Sequence, residues 1–151
     1  MAKQLKKIVL ESCTQILLDK RQMAVQMVST AESARNNETK SSAGDKYETG
    51  RAMMQRERDK AEAQLFQIEK QMAQLKTIQK LGDSDSVGQG SLVITNEGFY
   101  LIAISLGKVK LEDETYYVIS PESPISKSIW GRKSGHKIQF QNREIEILKI
   151  Y

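Results

Sequence analysis

Asp45 and Glu48 stand three residues apart where a polar turn gives way to a helical segment. That spacing puts two carboxylates on one exposed face of a first helical turn. Two chemistries fit. An aspartate followed three residues on by a glutamate has the form of a capping box, and acids at a helix start complement its dipole. One or two carboxylates completed by substrate phosphates is also how Mg²⁺ is usually held. Spacing alone leaves both open.

Two helical segments must position that pair. Residues 4–35 and 45–80 contain no proline, and their apolar residues crowd the outer ends. Leu5, Ile8, Val9, Leu10, Cys13, Ile16, Leu17 and Leu18 mark the first segment; Leu65, Phe66, Ile68, Met72, Leu75 and Ile78 mark the second. Folding back antiparallel brings residue 5 near 78 and residue 18 near 65, with the bend near Ser41-Ser42. The stretch Asn36 to Gly44 is small and polar, as a turn should be. In the second segment Ala61, Leu65, Ile68, Met72 and Leu75 step as a heptad seam requires. In the first, Ile16, Met23, Met27, Ala31 and Ala34 keep to one face without a strict heptad. At about 1.5 Å per residue the arm is roughly 50 Å long, deeper than an ordinary surface pocket.

The 151 residues suffice for a helical arm plus one small domain. No run approaches the length of a membrane span. Met1-Ala2-Lys3-Gln4 opens a charged helix rather than a secretory leader, so a cytoplasmic protein is expected. Cys13 is the only cysteine, which excludes an internal disulfide and speaks against zinc. A Cys/His nucleophile would need Cys13 beside His136, yet Cys13 falls in an apolar helical run that suits a buried, inert thiol. Residues 1–80 hold 15 Lys/Arg against 10 Asp/Glu, and residues 81–151 hold 8 against 9. The basic excess therefore belongs to the arm and points to an anionic neighbour, with a solvated helix face as the alternative.

Beyond residue 81 the pattern changes. Residues 82–90 read as a linker, and 91–151 as a small, mostly antiparallel sheet domain with one short helix. Leu92–Thr95 and Phe99–Ile104 form a hairpin with Gly98 supplying the turn. Tyr116–Ser120 is a third strand. Residues 137–140 and 145–151 alternate apolar and polar about a turn at Gln141-Asn142-Arg143. Between strands, proline early and glycine late bracket a short helix within 123–131. Trp130 reads as a core or domain-contact residue. The fold class is α+β: a helical hairpin over 1–81, then the sheet domain.

Residues 120–138, Ser-Pro-Glu-Ser-Pro-Ile-Ser-Lys-Ser-Ile-Trp-Gly-Arg-Lys-Ser-Gly-His-Lys-Ile, resemble the signature of the bacterial Gre transcript-cleavage factors. Residues 143–150 resemble their last strand, Gly90-Ser91 the small pair that opens their sheet, and Gly44-Asp45-Lys46-Tyr47-Glu48 their Gly-Asp-x-x-Glu tip motif. The order is also similar: a coiled-coil hairpin, then an FKBP-like sheet domain. The chain departs from the pattern at Gly131-Arg132-Lys133-Ser134-Gly135-His136, where the family carries Gly-Lys-x-x-Gly-Asp. It departs again at Thr49-Gly50-Arg51-Ala52, where the family prefers Asn-Ala-Glu-Tyr.

The resemblance implies a DNA-binding transcription elongation factor that binds RNA polymerase and is not an enzyme alone. Its arm would enter the polymerase secondary channel. Asp45 and Glu48 would be the catalytic and metal-site acids, helping to hold a Mg²⁺ shared with the polymerase active site. Two metals can stabilise both oxygens of an in-line phosphodiester hydrolysis, here of backtracked RNA. Lys40, Lys46 and Arg51 would face phosphates at the nascent RNA 3′ end. Ser123 and Pro124 would grip the channel rim. A monomer is expected. The alternatives are a non-cleaving secondary-channel regulator of the same fold and a coiled-coil scaffold that dimerises. A prolyl isomerase is disfavoured by the few aromatics available to line a proline pocket.

Overall fold

The computed structural model describes the backbone of residues 2–39 and 44–151 and the side chains of residues 4–33 and 49–151. Two long helices lead: α1, Ala2–Thr39, and α2, Gly44–Gln79. A mixed six-stranded sheet follows, with β1 Leu92–Thr95, β2 Gly98–Ile102, β3 Gly107–Leu111, β4 Glu114–Ile119, β5 Lys137–Phe140 and β6 Arg143–Ile150. The short helix α3, Pro124–Ile129, lies between β4 and β5. Among the described residues no helix is long and apolar enough to cross a membrane.

α1 runs four residues beyond the expected end, through Asn36-Asn37-Glu38-Thr39. Neither Gly nor Pro occurs before Gly44 to stop it, and polar residues alone do not break a helix. The buried seam of α1 also differs from expectation. Leu10, Leu17, Ala24 and Ala31 are buried at strict seven-residue steps. Met23 and Met27 are exposed and Ile16 is only half-buried. The true heptad runs one position along from the larger residues that suggested the drifting stripe. On α2 the steps of seven fall at Ala61, Ile68 and Leu75, all buried, while Leu65 and Met72 are half-buried.

The chain divides into two compact units: residues 15–72, and residues 1–14 together with 73–151. Within the first, the helices pair antiparallel. Arg21 Nε meets Glu69 Oε1 at 2.8 Å, and Arg58 meets Glu32 at 3.0 Å. From Arg21 to Glu32 is eleven residues forward, and from Glu69 to Arg58 eleven residues back, so one register serves both pairs. Eleven residues are close to three helical turns, which places the two pairs on the same side of the hairpin. Arg58 also binds Glu62 at 3.1 Å, one turn along its own helix.

In the second unit the strand order is β3-β4-β2-β1-β6-β5. All neighbours are antiparallel except β2 and β4, which run parallel. β3 was not apparent in the sequence: only Val109 is fully buried on it, and Lys108 and Lys110 alternate along an exposed edge. Such lysines discourage pairing with another chain's edge. The β1–β2 turn is Asn96-Glu97, held by Thr95. Its hydroxyl accepts from the Glu97 and Gly98 N–H groups and donates to the Gly98 carbonyl at 2.8 Å. The β5–β6 turn is Gln141-Asn142, both at positive φ (49° and 64°), with Arg143 already paired to Phe140.

Both faces of this sheet are buried. One packs Val93, Tyr100, Ile102 and Ile147 against Ile129 of α3 and against Val87. Val87 is fixed by two backbone hydrogen bonds, its N–H to the Arg132 carbonyl and its carbonyl from Gly131 N–H, each 2.8 Å. The segment after α2 is thus threaded into the core before β1 begins. On the other face Leu92, Leu101, Tyr116 and Val118 are buried as well. In the same unit, at the bases of α1 and α2, Val9, Leu10, Cys13, Leu75 and Ile78 are buried. Lys6, 6 % exposed, pairs there with Asp83 at 3.6 Å.

Candidate functional site

The arm's interior is sparse. Among the described residues between 20 and 64, the buried ones are Ala24, Ala31 and Ala61, with the smallest apolar side chains. Alanines at a seam bury little area, and half-exposed ion pairs add at most about 1 kcal/mol each, so this part of the hairpin is weakly held. The side chains of Lys40, Asp45, Lys46 and Glu48 lie outside the described residues, and so does the question of which carboxylate caps α2. Arg51 is described and exposed, as is Thr49. The donor set that Asp45 and Glu48 offer is two carboxylates, with hard oxygen donors, three positions apart in sequence. It suits Mg²⁺ and leaves most of the coordination sphere to water, phosphate or a partner.

The excess positive charge sits elsewhere than the tip. Residues 15–72 hold 10 Lys/Arg against 9 Asp/Glu, whereas the helix bases, 1–14 and 73–80, hold Lys3, Lys6, Lys7, Lys76 and Lys80 against Glu11 alone.

Ser123 and Pro124 open α3, and the sequence fixes their roles locally. Ser123 is the N-cap, its hydroxyl accepting from Ser126 N–H at 3.2 Å, and Pro124 takes the first helical position, where a missing N–H costs nothing. The Ser123 hydroxyl donates to Ser126 Oγ at 2.8 Å, and Ser126 Oγ donates to the Ser120 carbonyl at 2.7 Å. Ser126 is fully buried. Ser123 therefore spends its hydroxyl on shape, and Pro124 is the exposed member of the pair. Ser123→Ala should cost about 1 kcal/mol in urea unfolding, and Ser123→Asp, which can still cap, should restore most of it. Equal loss in both variants would remove the capping role.

Trp130 corrects an expectation. It is 46 % exposed, directly after α3, beside exposed Arg132 and Lys133. Ile129 takes the core position instead, fully buried. A tryptophan signals burial by size, and only the helix phase at Ile125 and Ile129 reveals which of the two neighbours points inward.

Cys13 is buried, and desolvation pushes its thiol up to about 11, so it stays protonated at neutral pH. His136 is exposed, and its Nδ1 accepts from Lys133 N–H at 3.1 Å. Neither environment is that of an activated nucleophile and its base. No known family model matches this chain, and no characterised protein does.

Proposed function

We propose that this chain is an RNA polymerase-binding elongation factor of the Gre type, whose hairpin enters the secondary channel and whose tip acids help hold the Mg²⁺ that cleaves backtracked RNA. The observation that carries the reading is the antiparallel pairing of two helices of 38 and 36 residues, held at one register, with Asp45 and Glu48 in the first turn of the second. Each helix is about 55 Å long, enough to reach a buried active site through a channel. The mixed sheet with α3 is read as the FKBP-like module that stays outside, with Pro124 on its exposed surface. When bound, the metal would stabilise charge on the oxygens of the phosphodiester; the chain's own part is to carry two carboxylates to it.

The second reading, a non-cleaving regulator of the same channel, is favoured by Thr49-Gly50-Arg51, where glycine loosens α2 and arginine replaces an expected acid. A stalled, backtracked elongation complex separates the two. Accelerated release of short 3′ RNA fragments supports the cleavage factor; tight binding without release supports the regulator. Binding itself has its own test. Deleting residues 30–52 should leave pull-down of polymerase largely intact, whereas replacing Ser123-Pro124 should weaken it. The reverse pattern would put the grip on the arm.

A further inference from the structure

Along the described part of the arm runs an apolar groove that its own two helices do not fill. A cleft of about 670 Å³ is lined by Lys20, Met23, Ala24 and Met27 of α1 and by Lys60 and Ile68, among others, of α2. A second, of about 370 Å³, shares Met23 and Met27 and continues past Ala31 to Met54 and Glu57. The shared methionines make the two clefts one groove along the hairpin. Its floor is small, Ala24 and Ala31, because the buried seam is small. Its walls are methionines, with Met23 66 % and Met27 39 % exposed. Methionine walls are soft and unbranched, and they repack around whatever helix lies between them. Two helices with an apolar trough between them form an unfinished three-helix bundle.

The charges around the trough choose the occupant. Lys20 sits on the α1 rim and Lys60 on the α2 rim, both exposed, and among the described residues neither pairs with a carboxylate. The arginines nearby do not share this freedom, since Arg21 and Arg58 are already tied to glutamates. By the register of those ties, Lys60 lies opposite about residue 30 of α1, roughly 15 Å along the groove from Lys20. We infer that this groove docks an amphipathic helix of a partner protein, apolar on its inner face and carrying an acid on each flank, the two about ten residues apart. Of the charged side chains that line the groove, Lys20 and Lys60 attract acids on the flanks and Glu57 opposes them, so the balance favours an acidic helix over a basic one. This site lies on the arm's flank and does not depend on whether the tip promotes cleavage.

The test uses the full chain and a synthetic 21-residue helical peptide with leucines at the a and d positions and glutamates at e and g, beside its twin with lysine at every glutamate position. Fluorescence anisotropy should give micromolar binding for the acidic peptide and at least tenfold weaker binding for the basic twin. Met23→Gln with Met27→Gln should weaken the acidic peptide at least tenfold. Lys20→Glu with Lys60→Glu should reverse the preference between the twins. All four residues are exposed, so helicity and melting by circular dichroism should stay unchanged in each variant. Equal binding of the two peptides, or a preference that survives the charge swap, overturns the inference. So does a concentration-dependent dimer mass that the methionine changes abolish, which would give the groove to a second copy of this chain. Binding of single-stranded RNA that Lys20→Glu with Lys60→Glu abolishes, with no peptide binding, would overturn it in favour of nucleic acid.

Discussion

Asp45→Asn and Glu48→Gln are each expected to cut stimulated transcript cleavage about a hundredfold while leaving polymerase binding close to wild type. Each change keeps the size of the side chain and an oxygen able to accept from a helix N–H, so capping is largely retained. What is removed is the negative charge that a hard divalent cation needs. Losing one strong contact to the developing charge of a transition state costs on the order of 3 kcal/mol, which is the hundredfold quoted. Raised Mg²⁺, or Mn²⁺ in its place, should recover part of the loss. Stability should move by only a few tenths of a kcal/mol, because the substitution at a helix start is close to neutral. Undiminished cleavage in both variants would return the two acids to capping alone.

Gly90→Ala is expected to destabilise the second unit by about 2–4 kcal/mol. Gly90 has φ +85°, where an L side chain costs about 1–2 kcal/mol. A Cβ built there would also stand 3.3 Å from both Ile78 Cγ2 and Leu81 Cδ1, and forcing extra carbon into such a contact typically costs about 1–3 kcal/mol. Ile78 is fully buried, so it has little room to retreat. The Gly90 N–H, bound to the Ile102 carbonyl at 2.6 Å, ties the same backbone to β2 and prevents an easy shift. Gly88→Ala is the control, since a Cβ there meets nothing within 4 Å. Urea midpoints measured on both variants decide the matter: comparable losses would mean that the end of α2 does not rest on Gly90.

Much of this architecture could be read from residue order. The two proline-free helical runs, the small sheet and the Pro124 helix start all follow from local chemistry. What the sequence hid has physical causes. The α1 seam at Leu10, Leu17, Ala24 and Ala31 was masked because half of it is alanine, while the larger Met23 and Met27 lie beside it and outside. β3 escaped notice because this edge strand buries one residue in five and exposes two lysines and a glycine. Residues 82–90 looked like a free linker because Gly and Ser dominate them; the one residue that contradicts this, Val87, is a single apolar side chain in a polar run. For the candidate site, the sequence pointed to Asp45 and Glu48 by spacing and resemblance. The part Ser123 plays through Ser126 and the Ser120 carbonyl rests on three-dimensional contacts that a short helix in the sequence does not disclose.

A sheet buried on both faces has a consequence for how the chain breathes. The first fourteen residues and the segment from Ala73 onward belong to one compact unit although 58 residues separate them. Amides at the two helix bases should therefore exchange with solvent at the slow rate of the central strands. Those of residues 20–33 and 49–64, where the buried side chains are alanines, should exchange faster and need not wait for the sheet to open. Protection would then change partway along each helix, near Thr14 in α1 and near Ala73 in α2, with no break in the helical backbone to announce it.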